Sequence, residues 1–435
     1  MISAKKVLLI NAPAPFLAFP HAGPAIGIGY LLAYLKMHGH IAHYLDLEGT
    51  DPALAVIPEG YDLYGISAMT PQYHYALQIL LQIRRKKLGP VIIGGIHASL
   101  LPEECLKDGF DFVVKGFGEK ALLRIVKGET KRGIVYGEPL DDINFPFAPD
   151  WDQLWRPFDV SFGKITGHVI TMRGCPFNCL FCSSQKVYGP VPTFRKVKNI
   201  IAEVKMLIEK FGITHLYFYD TCFTHLRKRA IEISRALQEL KISWACQTRV
   251  DLVDPELLKI MRRGGCSQIS FGIETGSAVL ETLGKNTTSE MNAKAIKMCH
   301  DRGLEVKAFL MSGLPDETCR SIEFTREFLQ KNPPDFWHIS MLQALPGTPY
   351  YDYPEKFGLK IYSRDPRLQY PLGLNARGPV NHSTRNFSRQ QVWQNREDFL
   401  DMMMSLRPSS RIDKAIAVSP TLLPVFLKSL TDFVI

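Results

Sequence analysis

Twice along the chain, short β-branched runs alternate with longer helical patterns, and a stretch rich in Pro and Asp separates the two series. That alternation constrains the fold most, because strands joined through helices lie parallel, with the helices packed on the sheet. In the first series, strands are expected over 7–11, 41–46, 61–68, 91–95 and 112–115, with helices over 26–38 and 73–86. The pattern predicts a doubly wound parallel sheet over residues 1–136, with ligands beyond the carboxyl ends of its strands. The loops at 68–72, 94–99 and 116–119 would line that edge. Gly137, Pro139, Asp141, Asp142, Pro146, Pro149 and Trp151 mark an interdomain linker over 137–160. The second series places strands at 168–172, 215–219, 242–247, 268–274, 304–311 and 336–342, with helices at 198–210, 227–240, 255–263 and 289–302. Six βα units predict a partial parallel barrel over 161–350, with reactive groups at the strand carboxyl ends. Residues 351–435 read as a small, mainly helical C-terminal extension, with a helix over 389–405 and an apolar tail.

The 435 residues are 46% hydrophobic and 22% charged, as in globular domains. The net charge of +9 is scattered, with short runs such as Arg84-Arg85-Lys86-Lys87, and reads as a solvated basic surface; nucleic-acid binding is not expected. The first apolar run is ended by Asn11 and Pro13, too early for a secretory signal. Residues 416–435 contain Pro420, Pro424, Lys428 and Asp432 and cannot form a spanning helix, which leaves at most weak peripheral membrane contact. Nine cysteines without a secretion signal point to a reducing compartment, so the expected location is cytoplasmic.

Directly after an expected strand comes Arg173-Gly174-Cys175-Pro176-Phe177-Asn178-Cys179-Leu180-Phe181-Cys182. Three soft thiolate ligands on one loop match iron–sulfur chemistry. A zinc site would need a fourth thiol or histidine, and the remaining cysteines are dispersed in sequence. A missing fourth ligand would leave one iron open to a substrate or cofactor.

This segment resembles the radical S-adenosylmethionine (SAM) superfamily, whose motif is CxxxCxΦC with an aromatic, here Phe181, before the last cysteine. The resemblance implies a [4Fe-4S] cluster on Cys175, Cys179 and Cys182 whose open iron is chelated by SAM. Reductive cleavage of SAM then yields a 5′-deoxyadenosyl radical. Over residues 166–350 other segments resemble the family's SAM contacts. Asp220 stands where relatives place an acid near the SAM amino group, or else caps the helix over 227–240. Arg249 of Arg249-Val250-Asp251 would offer a fork to the SAM carboxylate, or else pairs with Asp251. Glu274 of Gly272-Ile273-Glu274-Thr275-Gly276-Ser277 resembles the G-x-E-S/T-G-S segment and would accept from the ribose or amino group. Gly313 falls in the segment 309–315 that resembles the fifth strand end.

The first domain carries Ser67-Ala68-Met69 and Gly94-Gly95 after successive strands, similar to the S-x-L and G-G elements of cobalamin-binding domains. A generic Rossmann-like turn is the plainer alternative. Domain order strengthens the resemblance, since a flavodoxin/Rossmann-like domain before a TIM-like (βα)6 partial barrel is similar to the cobalamin-binding radical SAM subfamily. It implies cobalamin contacts at Ser67, Met69, Thr70, Gln72, Gly94, Gly95, His97, Gly116 and Glu119. The D-x-H-x-x-G string that supplies a cobalt ligand elsewhere is absent; Asn11-Ala12-Pro13 holds the equivalent loop, and neither His21 nor His97 has that context. The resemblance therefore implies cobalt without an axial histidine.

The activity so implied is methylation of an unactivated carbon of a small-molecule substrate, with [4Fe-4S], SAM and cobalamin as cofactors and an external donor such as flavodoxin or ferredoxin. An oxidative cyclase or rearrangement enzyme is the alternative within the family. A non-catalytic iron–sulfur redox sensor is the alternative outside it, and the SAM-like segment around Glu274 argues against that.

Overall fold

The computed structural model describes residues 4–14, 23–140, 148–156, 164–366 and 380–406. Six parallel strands, β1 (Lys6–Asn11), β2 (Ile41–Asp46), β3 (Leu63–Ser67), β4 (Val91–Gly94), β5 (Phe112–Gly116) and β6 (Gly133–Gly137), form the first sheet in the order β2-β1-β3-β4-β5-β6. β6 is additional to the five expected strands. Helices α1 (Ile26–Met37), α2 (Tyr73–Arg85), α3 (Ile96–Leu100), α4 (Pro102–Lys107) and α5 (Gly118–Val126) cover both faces. The period of two along β1 decides which residue meets which layer. Leu8 and Ile10 share a core with Ala76, Ile79 and Ile83 of α2, whereas Val7 and Leu9 share one with Leu32 and Leu35 of α1 and Leu122 and Ile125 of α5. The strand order reverses between β1 and β3, which opens a crevice at their carboxyl ends.

Of the expected linker, residues 141–147 and 157–160 lie outside the described residues. The part between them forms a short helix, α6 (Trp151–Leu154), that fastens the two sheets together. Gln153 accepts from Tyr44 N at 2.8 Å, Lys36 meets Asp150 at 2.5 Å, and Trp151 Nε1 donates to Glu203 Oε1 of the barrel at 2.8 Å. Gly29 makes this approach possible, since a Cβ there would stand 2.1 Å from Leu154 Cδ1.

The second sheet contains β7 (Thr166–Val169), β10 (His215–Phe218), β11 (Ser243–Thr248), β12 (Cys266–Glu274), β13 (Glu305–Ser312) and β14 (Phe336–Met341), all parallel, in the order β14-β13-β12-β11-β10-β7. Sequential order with β7 and β14 unpaired at the edges is the topology of a partial barrel. The strand expected over 168–172 ends at Val169; Met172–Arg173 (β8) instead pairs antiparallel with Thr193–Phe194 (β9). Around the sheet run α7 (Ser184–Tyr188), α8 (Val197–Phe211), α9 (Arg227–Leu240), α10 (Pro255–Arg263), α11 (Ser289–His300) and α12 (Cys319–Lys331). Ile269, Phe271 and Ile273 of β12 and Val306, Ala308 and Leu310 of β13 pack with Ile233, Leu257, Ile296 and Leu329 of these helices. The alternate residues, Gln268, Ser270, Lys307 and Phe309 among them, point to the barrel interior.

The described part of the extension is mainly helical and also carries two short strands. Between α13 (Pro349–Asp352) and α14 (Arg389–Leu406), β15 (Leu359–Ile361) and β16 (His382–Thr384) form an antiparallel pair. α14 packs on β13 and β14, covering the open barrel edge. The apolar tail lies outside the described residues, among which no helix is long and apolar enough to cross a membrane.

Candidate active site

The cysteine loop leaves the first barrel strand because a carboxylate captures the chain. Asp220 Oδ1 accepts from Thr171 N at 2.6 Å and from Met172 N at 3.0 Å, and its Oδ2 accepts from the Thr171 hydroxyl. Burial raises the Asp220 pKa against these bonds, and Arg229, which donates to Thr171 Oγ1 at 3.0 Å and Thr171 O at 2.8 Å, completes the cage. Both expectations for Asp220 need correction. Its oxygens already have donors and it is fully enclosed, so it offers none to a ligand; and the residue preceding α9 at the cap is Leu226. Asp220 shapes the approach to the cysteines.

Cys175, Cys179 and Cys182 are partly exposed, unlike Cys222 and Cys266, which are buried at 1% and 0%. Thr221 Oγ1 donates to Gly174 O at 2.9 Å, Cys182 N to Cys179 O at 3.1 Å, and Leu180 N to Leu283 O at 3.0 Å. Phe181 packs with Leu180 on an apolar cluster of Leu280, Leu283 and Leu342. Burial raises the pKa of Cys175, and that of Cys179 to about 11; the nearby Cys182 adds to both, while Lys285 and Arg249 oppose the rise at Cys179. Among the described residues, no three His, Cys, Asp or Glu side chains converge as they would around a single ion. A cluster in which each thiolate takes a different iron makes no such demand, and three mutually interacting thiols beside two cations suit an iron–sulfur group.

Arg249 braces this loop. Its Nη1 approaches Cys179 Sγ at 3.9 Å, its plane lies 3.9 Å from the Phe177 ring centroid, and Nη2 donates to Lys285 O at 2.6 Å. Its fork is also occupied by Asp251, at 2.9 Å to each oxygen, so the paired alternative describes the structure. Glu274 ends β12 at φ +59, a conformation uncommon outside glycine, where the register with β13 shifts. Lys285 Nζ donates to Glu274 Oε1 at 2.8 Å and to Gly272 O. Glu274 is therefore already paired, and a ligand there meets a Lys–Glu unit. Gly313 N donates to Glu317 Oε2 at 2.7 Å, and its carbonyl accepts from His382 Nε2 at 2.9 Å. Glu317, which no sequence motif marks, is buried and has its pKa pushed up to about 8.

In the first domain the expected cobalamin contacts divide. Ser67, Met69, Gly94 and Gly116 are partly exposed at the strand ends, and Gly95 is exposed. Gly95 holds φ +94, ψ −166, and a Cβ there would lie 2.9 Å from Ala68 O, so this edge is a bare backbone ledge. Such a ledge fits a nucleotide tail. Thr70, Gln72 and His97 turn inward instead. Gln72 links Met69 N (2.8 Å) to Ala12 O (2.6 Å); His97 is fully buried, stacked at 3.7 Å on Tyr73, with Nδ1 3.4 Å from Thr70 Oγ1 and its pKa pushed down to about 4 by burial. These three shape the ledge from behind. His21 lies outside the described residues. Glu119 is buried and accepts from Arg173 Nη1 at 2.5 Å, while the Arg173 guanidinium lies 4.7 Å from the Tyr30 ring centroid. α3 packs on α7, the helix that follows Cys182, so the element after the ledge abuts the element after the cysteine loop.

A switch-point ledge on one domain and a three-cysteine loop at the strand ends of a partial barrel, linked by Arg173 and Glu119, place the protein in the class that pairs a nucleotide-type cofactor domain with an iron–sulfur barrel. Residues 16–126 match the B12 binding domain family and residues 169–329 the Radical SAM superfamily. The chain belongs to the cobalamin-binding branch of the radical SAM superfamily, and its cofactors are a [4Fe-4S] cluster, SAM and cobalamin. It is similar to an uncharacterized methyltransferase of Pyrococcus horikoshii, with 31% identity over 362 residues covering 76% of this chain and 78% of that one. The anaerobic magnesium-protoporphyrin IX monomethyl ester cyclase of Rubrivivax gelatinosus is 28% identical over 378 residues, 78% of this chain and 67% of that one. In fold the chain is similar to the radical SAM methyltransferase TsrM of Kitasatospora setae, solved with tryptophan and a SAM analogue, at TM-score 0.70 and 17% identity over 93% of this chain and 89% of that one.

Proposed function

We propose that this radical SAM enzyme is a cobalamin-dependent methyltransferase acting on an unactivated carbon of a small-molecule substrate, supplied with electrons by a small redox protein. One observation carries the reading: the Arg173–Glu119 bond, 2.5 Å long and buried at its Glu119 end, joins the residue two before Cys175 to the strand edge of the B12 domain. A compartment built from both edges suits a reaction that uses both cofactors on one substrate. The P. horikoshii relative, a methyltransferase by name, supports the same reading.

When bound, the cluster supplies an electron for SAM cleavage, and cobalamin supplies a methyl group to a carbon that has no lone pair to attack SAM directly. The chain's own residues do the rest. Cys175, Cys179 and Cys182 hold the cluster, and Arg249 and Lys285 balance its charge from one side. Glu274, paired to Lys285, presents its second oxygen to the SAM amino or ribose group. Ser67, Met69, Gly94, Gly95 and Gly116 form the ledge for cobalamin. Asp220 and Arg229 keep the cysteine loop at a fixed height above the barrel, and the apposed edges exclude water.

An oxidative cyclase is the second reading, supported by the R. gelatinosus relative's cover of most of this chain. Anaerobic turnover with methyl-deuterated SAM separates the two. Label in the product supports methyl transfer; an unlabelled, ring-closed product supports cyclisation.

A further inference from the structure

Lys307 has no carboxylate among the described residues. It lies on β13 between Val306 and Ala308, which pack under the helices, and so points into the barrel. Burial of most of the side chain lowers its pKa though it keeps partial exposure, and among the described residues no hydrogen bond or ion pair reaches Nζ; the Phe309 ring, 5.4 Å away, offers a face but no acceptor oxygen. A neighbour on the same face repeats the pattern. Ser270 of β12 stands beside Lys307 in register, and two residues back is Gln268, 2% exposed, whose Nε2 is buried without an acceptor. Ser270 Oγ, 0% exposed, is turned to the Tyr217 hydroxyl. From β14, His338 faces the same space; burial first, then Lys307 and Arg396 of α14, hold its pKa down to about 4.

A cation taken out of water without a counter-charge is costly, and so is a buried amide N–H without an acceptor. Here Lys307 and Gln268, on one face of two adjacent strands, lack acceptors among the described residues; Glu305, in register with Gln268, bonds to neither. A structural lysine would have been matched by a carboxylate, as Lys285 is by Glu274. We propose that the barrel interior is a substrate subsite in which Lys307 and Gln268 take up an oxyanion, a carboxylate or a phosphate, so that the enzyme selects substrates carrying such a group. The subsite deepens the function proposed above and rests on it, in that a small molecule enters the barrel.

The test is thermal unfolding of the full chain, anaerobically reconstituted, titrated with inorganic phosphate or propionate and compared with chloride at equal ionic strength. At least one of the two anions should raise the midpoint saturably by roughly 2–4 °C. A response to phosphate alone assigns a phosphate-bearing substrate, and one to propionate alone a carboxylate-bearing one. Lys307→Met should abolish the response and, by removing an unpaired buried cation, leave the anion-free midpoint unchanged or higher. Gln268→Leu should raise the half-saturating concentration roughly tenfold. The proposal is overturned if neither anion acts on the wild type, if Lys307→Met responds equally, or if that variant unfolds earlier or fails to fold. The titration needs no SAM cleavage. Absence of 5′-deoxyadenosine from wild-type reactions would therefore sink the parent reading while the anion response still decides this one.

Discussion

Arg173, partly buried, donates to buried Glu119 at 2.5 Å across the boundary from the barrel to the B12 domain, and Tyr30 lies against the same guanidinium. Removing Glu119 takes the carboxylate from a guanidinium held largely out of water. Glu119→Ala should therefore lower stability by about 3–5 kcal/mol, whereas Glu119→Leu combined with Arg173→Met should recover much of the loss. Denaturant midpoints of the two variants check this.

Replacing any one of Cys175, Cys179 and Cys182 with Ala should remove the [4Fe-4S] signal after anaerobic reconstitution. Cys222→Ala and Cys266→Ala should keep it, because Cys222 is buried beside the loop with its thiol 3.3 Å from Thr248 Oγ1 and Cys266 is sealed in the core. Electron paramagnetic resonance of the reduced protein is the measurement. Loss of signal in Cys222→Ala would contradict the assignment of ligands.

The alternation of strands and helices made both sheets legible, and the spacing of three cysteines made the loop legible. Long-range pairing was not. Asp220 at a strand end looks like a ligand-facing acid until the fold shows that Thr171, 49 residues earlier, takes its oxygens. Thr70, Gln72 and His97 sit in the expected loops, but a loop sequence does not show which side chains turn inward. β6 escaped because Gly133 and Gly137 bound a run of three residues. Nothing in the strand run 304–311 tells which face Lys307 takes, and only the alternation seen against packed helices places it inside.

Glu317 gives a pH signature. Its pKa is raised to about 8 by burial, with the Gly313 and Leu314 amides pulling the other way and no charged neighbour contributing. Because the folded pKa exceeds the unfolded value, the folded state binds the extra proton, and stability must fall as pH rises between roughly 4.5 and 8. Glu317→Gln keeps an acceptor for Gly313 N and should flatten that slope. Thermal midpoints from pH 5 to 8.5 would show it; equal slopes in both proteins would contradict it.

Gly95→Ala places a side chain on the ledge. At φ +94 and 2.9 Å from Ala68 O the new Cβ is strained, at about 1–3 kcal/mol. Hydroxocobalamin titration followed by absorbance should show binding weakened roughly tenfold or more, while the cluster signal is retained. Undiminished cobalamin binding would move the cofactor away from this edge.

The central claim, that one compartment uses SAM both for radical generation and as a methyl source, is tested most directly by mass spectrometry of an anaerobic reaction with methyl-deuterated SAM and the substrate. Each turnover should release both S-adenosylhomocysteine and 5′-deoxyadenosine, and the deuterated methyl group should appear on a product carbon. Substrate-dependent 5′-deoxyadenosine without S-adenosylhomocysteine, with an unlabelled product, would contradict methyl transfer and leave the cyclase reading in its place.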